Sequence, residues 1–112
     1  MELEQVQVGN VLILRVSGRM ILGNLPRMEE AAAEARLNGT NHFVLNLSGV
    51  TDITSSGIGL LLSLFNSSRE AGGDLAIAEP SANCKRALDL ARFDDIFHIF
   101  TSEDEAVESL KA

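Results

Sequence analysis

The sequence contains no tryptophan and no tyrosine, and its five aromatic residues are all phenylalanine. Its core must therefore be aliphatic and rich in alanine. Hydrophobic residues fill 46% of the 112 positions, enough for one compact domain spanning residues 1–112. A single cysteine, Cys84, excludes a disulfide framework within the chain and points to a reducing compartment. No apolar run reaches the roughly 18 residues that a membrane-spanning helix needs, so no direct membrane insertion is expected. The opening stretch MELEQVQVGN has acidic residues and no long apolar segment. It does not read as a signal peptide, and a cytoplasmic location is expected. Positive charge is also scarce: 9 Lys and Arg stand against 16 Asp and Glu, a net charge of −7. Such a surface repels nucleic-acid backbones and anionic membranes, which leaves proteins as the expected partners.

Catalytic constellations are missing too. His42 and His98 both fall in predicted strands. There is no metal-ligand spacing and no HExxH. Composition alone leaves a Ser-His-Asp triad open, but no G-x-S-x-G elbow supports one. Gly57-Ile58-Gly59 resembles part of a dinucleotide fingerprint, yet Leu62 stands where the third glycine belongs, and no P-loop is present. The plainer reading gives Gly57 to a strand-to-helix turn and Gly59 to close packing of the first helical turn on the sheet. Cys84 adjoins Lys85 and Arg86, which would lower a thiol pKa, but its helical phase matches Leu88 and Ala91 and argues for burial. No metal, no cofactor and no enzymatic activity are expected.

What is present is a regular alternation of elements. Val6 and Val8 alternate with polar residues, Gly9-Asn10 is a turn pair, and Val11–Val16 is a second strand, so the chain should open with a hairpin. A helix follows, with Asn24 as candidate N-cap, Pro26 in its first turn and Asn38-Gly39 as its stop. Leu25, Met28, Ala32 and Ala35 share one of its faces. His42–Leu47 reads as a buried strand, GVTDIT (residues 49–54) as a connection, and Ser56–Ala71 as a helix. That helix has Ile58, Leu61, Leu62 and Phe65 inward, with Leu60 and Leu64 widening the face. DLAIAEP is a strand stopped by Pro80, Ser81 can cap a helix running to about Phe93, and DIFHIF is a last strand. Ser102 and Glu105 form a capping box for a closing helix. The order ββαβαβαβα predicts an α/β fold: a mixed, mostly parallel sheet of about five strands with about four helices.

The stretch DITSSGIGLL stands out, because Thr54, Ser55 and Ser56 run directly into the most apolar segment. Ser55 is a good N-cap, and that alone explains a hydroxyl there. The same geometry permits a function. A helix N-terminus carries free N–H groups and partial positive charge, and a phosphate on a serine there adds about −1.5 to −2 charges without unfolding the helix.

VLNLSGVTDITSSGIGLLL, the following REAGGDLAIAEPSANCKRALDLARFDDIFHIF and the closing TSEDEAVESL together resemble a STAS domain of the anti-sigma factor antagonist type. The likeness covers nearly the whole chain and is weakest in the N-terminal hairpin. It implies a small α/β domain with a mixed sheet. It also implies a bacterial partner-switching regulator that frees a sigma factor, and so controls transcription, by binding an anti-sigma factor with serine kinase activity. Phosphorylation in a D-S-[ST]-G motif breaks that complex, and a serine phosphatase resets it. On this sequence the acceptor position falls on Ser55, with Ser56 as second choice and Gly57 as the turn glycine. The implied partner-binding face is Arg19, Ile21, Thr54, Ser55, Ser56, Gly57 and Ile58.

The sequence departs from the family pattern here. Thr54 stands where an acidic residue usually precedes the acceptor, and Arg19 and Ile21 replace two acidic residues of a G-E-x-D stretch. Arg19 could pair with a phosphate or with an acidic partner. These departures keep a second reading open: an accessory STAS subunit, not phosphorylated, of a membrane lipid-transport ABC complex or a stress-signalling scaffold. A small enzyme or nucleotide-binding domain is the third.

Overall fold

The computed structural model describes residues 1–111, apart from the side chain of Asp94. Strand β1 (Glu2–Val8) pairs antiparallel with β2 (Val11–Met20), Val8 lying opposite Val11. Gly9 takes φ 58° at the first position of the two-residue loop, where a turn matched to strand twist favours glycine. From β2 the sheet grows in parallel through β3 (His42–Ile53), β4 (Asp74–Ala78) and β5 (His98–Phe100), in the order β1-β2-β3-β4-β5. Helices α1 (Pro26–Leu37), α2 (Ser55–Glu70) and α3 (Ala82–Leu90) make the crossovers, and α4 (Glu103–Leu110) follows β5. The expected α/β class, with five strands and four helices, is the observed architecture.

The strand order explains the layering. All three crossovers step the same way along the sheet, so connections of one hand place all three helices on one face. There Met28 of α1, Leu61 of α2 and Leu88 of α3 share a core with Leu14, Phe43 and Ile77 of the sheet. Helix α4 covers the opposite face, setting Ala106, Val107 and Leu110 against Val11, Ile13, Val44 and Ala76.

Several boundaries differ from expectation. Asn24 does not cap α1; it ends a 3-10 turn at Leu22–Asn24, and its Nδ2 donates to the Arg19 carbonyl at 2.9 Å. Strand β3 runs on to Ile53, because β2 pairs with it past Leu47, through register shifts at Ser17 and at Arg19. There the strands approach so closely that a Cβ on Gly49 would lie 2.7 Å from Ser17 Cβ. Helix α2 buries Leu60, Leu61, Leu64, Phe65 and Ser68, while Ile58 and Leu62 are only half-buried. Helix α3 stops at Leu90, and a separate 3-10 turn holds Phe93. The cap roles of Ser81 and Ser102 are as expected: their hydroxyls accept from the Cys84 and Glu105 amides at 3.2 and 3.1 Å.

Candidate functional site

Pairing of β3 with β4 ends at Asn46 opposite Ala78, but pairing of β2 with β3 continues to Met20 opposite Ile53. A two-strand ribbon therefore extends beyond the body of the sheet, and α2 starts from its tip. Thr54 locks that start. Its amide and its hydroxyl both donate to the Met20 carbonyl, at 3.2 and 3.3 Å, and its Oγ1 accepts from the Gly57 amide at 3.4 Å. Gly57 is buried against the ribbon; a Cβ there would lie 2.9 Å from both the Met20 carbonyl oxygen and Ile53 Cγ1.

This arrangement corrects the expected cap. Thr54, not Ser55, is the N-cap, and Ser55 is the first residue of α2. Ser55 and Ser56 are both exposed. Capping therefore does not occupy the Ser55 hydroxyl. No acidic side chain lies in the first turn of α2, so the partial positive charge of the helix start is uncompensated there. Gly59 is corrected as well. It faces open space, with nothing within 4 Å of a Cβ, so close packing belongs to Gly57 alone of the two.

The end of β2 approaches this turn, as the resemblance implied, although Arg19 and Met20 belong to the strand and do not follow it. Arg19 sits opposite Asp52 in the register, and its Nε lies 3.4 Å from Asp52 Oδ2, both side chains being exposed. The cation is thereby held beside an acid of its own chain, in a pair that solvent screens. Ile21 is half-buried, as is Ile58 at the start of α2. Sequence reasoning missed Leu22, which follows Ile21 and is 72% exposed. Its signal was an aliphatic residue inside the GN-rich turn. Missed also was Asn83 of α3, whose Nδ2 donates to the Thr51 carbonyl at 3.0 Å and ties a third element to the ribbon.

A second polar cluster lies on the α4 face. Glu103, at the start of α4, accepts from Arg15 Nε and Nη2 at 3.0 and 2.8 Å and from Asn46 Nδ2 at 2.8 Å. The Glu103 amide donates to Glu79 Oε2 at 2.9 Å. Hydrogen bonds from Arg15 hold the Glu103 carboxyl below its ordinary pKa, against a smaller opposing effect of burial. These bonds fasten α4 to the sheet. Cys84 is fully buried, and burial pushes its thiol up to about 11, which suits a packing role. His98 is exposed and His42 half-buried. Among the described residues no group of His, Cys, Asp and Glu is arranged to hold a metal, and no helix is long and apolar enough to cross a membrane.

Comparison with known proteins agrees with this geometry. The crystal structure of a Thermotoga maritima protein provisionally named an anti-sigma factor antagonist superposes with a TM-score of 0.89 at 25% identity, covering 98% of this chain and 95% of its own. The anti-sigma F factor antagonist of Paenibacillus polymyxa is 27% identical over 113 residues, 99% of this chain and 96% of its own. Sulfate transporter 1.3 of Arabidopsis thaliana is 29% identical over 120 residues, covering 95% of this chain but 18% of the transporter. The family model described as the STAS domain matches residues 2–106, nearly the full length of the fold and all of the ribbon and α2, and the chain belongs to that family.

Proposed function

We propose that this protein is an anti-sigma factor antagonist: a cytoplasmic, non-enzymatic regulator that binds an anti-sigma factor with serine kinase activity and releases it when Ser55 is phosphorylated. The observation that carries the reading is the cap. Thr54 satisfies the helix start, and Ser55 stands exposed one residue later, free to be modified. A phosphate there is stabilised by the positive end of α2, so it adds charge to the surface without disturbing the fold. Full-length likeness to the Paenibacillus antagonist supports the same class. A serine phosphatase would complete the cycle.

The test is a pull-down from the host, followed by affinity measurement and phosphosite mass spectrometry after incubation with ATP. Ser55→Asp is expected to weaken binding of the kinase partner at least tenfold, and Ser55→Ala to retain it. Two variants that both bind like the wild type would place the switch elsewhere. The likeness to part of a plant sulfate transporter favours one second reading, a STAS module serving a membrane transport assembly. Co-purification with a membrane ATPase, and no phosphate on Ser55, would select it.

A further inference from the structure

Strand β1 is an edge of the sheet, and among the described residues no strand pairs with its outer side. Edge strands ordinarily carry a proline, a lysine, a bulge or a cover that keeps other strands away. Glu2–Val8 reads ELEQVQV, with no proline and no lysine, and it pairs with β2 without a shift of register. Its two carboxylates are its only charges, and Glu4 already accepts from Arg15 Nη1 at 3.2 Å. A two-residue loop joins β1 to β2 between Val8 and Val11, and the pair that closes such a loop exchanges both of its hydrogen bonds. Alternation then turns the N–H and C=O of Val6, Glu4 and Glu2 toward β2. Those of Leu3, Gln5 and Gln7 face outward.

An open apolar groove runs beside this edge. Val6 and Val8 project onto the face that α4 covers, but α4 packs over Val11, Ile13, Val44 and Ala76 and leaves both valines half-buried. The space between them and α4 has a volume of about 410 Å³, with Ile13 and Val107 in its walls. Glu103 bonds Arg15 at one end of this groove, and Lys111 lines it at the other end, toward Val8. Lys111 Nζ lies 3.1 Å from Glu108 Oε1, in an exposed pair that solvent screens.

A second copy of this chain fits the edge. Antiparallel pairing of two β1 strands over their full length centres on Gln5. Gln5 then faces Gln5, Glu4 faces Val6, Leu3 faces Gln7 and Glu2 faces Val8. Every outward N–H and C=O of Leu3, Gln5 and Gln7 is met, in about six hydrogen bonds. No carboxylate opposes another, whereas a pairing centred on Glu4 would set Glu4 against Glu4. Glu2 of each copy arrives at the Val8 end of the other, where Lys111 supplies the opposite charge. The two-fold axis stands perpendicular to the sheet, so both α4 helices lie on one face and the two grooves adjoin across the axis.

We propose that β1 is the interface of a homodimer, in which two copies pair their β1 strands about Gln5 into one continuous sheet. The proposal does not depend on phosphorylation of Ser55.

Position 5 faces itself in this dimer, so a charge placed there tests the register. Gln5 is exposed, and neither Gln5→Glu nor Gln5→Lys should change the urea midpoint of the dilute monomer. The wild type is expected to sediment with twice the mass of one chain at about 200 µM, as a weak dimer. Each variant alone should weaken dimerisation about fivefold, and an equimolar mixture of the two should recover the wild-type affinity or exceed it. A wild type that stays monomeric at about 1 mM overturns the proposal. So does a dimer that neither variant weakens, or a weakening that the mixture does not reverse. A monomer whose β1 amides gain protection from hydrogen exchange only when the kinase partner is added gives the edge to that protein and overturns it as well.

Discussion

Gly57 and Gly59 sit two positions apart on α2 and have opposite surroundings. Alanine at Gly57 must enter space already held by the Met20 carbonyl and Ile53. Backbone cannot step aside as a flexible side chain can, so the insertion should cost about 1–3 kcal/mol and outweigh the gain in helix propensity. Alanine at Gly59 meets nothing and should stabilise by about 0.5–1 kcal/mol. Urea unfolding of the two variants checks both signs; equal shifts would contradict the packing described. The sequence identified both glycines as meaningful but assigned the close packing to Gly59, whereas it belongs to Gly57. The inward stripe of α2 runs through Gly57, Leu60, Leu61, Leu64 and Phe65, which leaves Ile58 and Leu62 at its margin and Gly59 outside it. Ser68 was illegible as a core residue because its polarity is hidden locally, its hydroxyl donating to the Leu64 carbonyl at 2.8 Å.

Among elements, α4 depends most visibly on charge. The Glu103 carboxyl titrates lower in the folded chain than in the unfolded one, so its bonds to Arg15 and Asn46 contribute above the ordinary glutamate pKa of about 4.3. The contribution fades as pH falls through the lowered folded value. Glu103→Gln should therefore be less stable than the wild type at pH 7, and the gap should be smaller at about pH 3. Chemical denaturation at the two pH values measures it; a gap that widens in acid would reverse the assignment. The Ser102 cap of this helix was readable from spacing alone. Its anchorage was not, since Arg15, Asn46 and Glu79 converge from three different strands and loops. The second half of β3 was hidden for the same reason. Ser48-Gly49 and Thr51-Asp52 have loop composition, and only pairing with β2 makes them strand.

For the whole molecule, the alternation of strands and helices in the sequence was sufficient to give the class of fold, because each crossover must bury one helix face on one sheet face. Cys84 reports on that assembly. It lies at 0% exposure, with a thiol pushed up to about 11, so alkylation by iodoacetamide at pH 8 should proceed only as fast as the molecule opens. Rapid labelling of the native protein would show that α3 detaches by itself. The sheet order β1-β2-β3-β4-β5 has one more consequence. Spatial order and chain order coincide, so a ribosome delivers each strand directly beside the one already in place. The growing sheet never waits for a distant segment to fill its middle, and it lengthens only at the edge where the next strand arrives. Helix α4 follows β5 and closes over β2, β3 and β4, strands that all precede it in the chain.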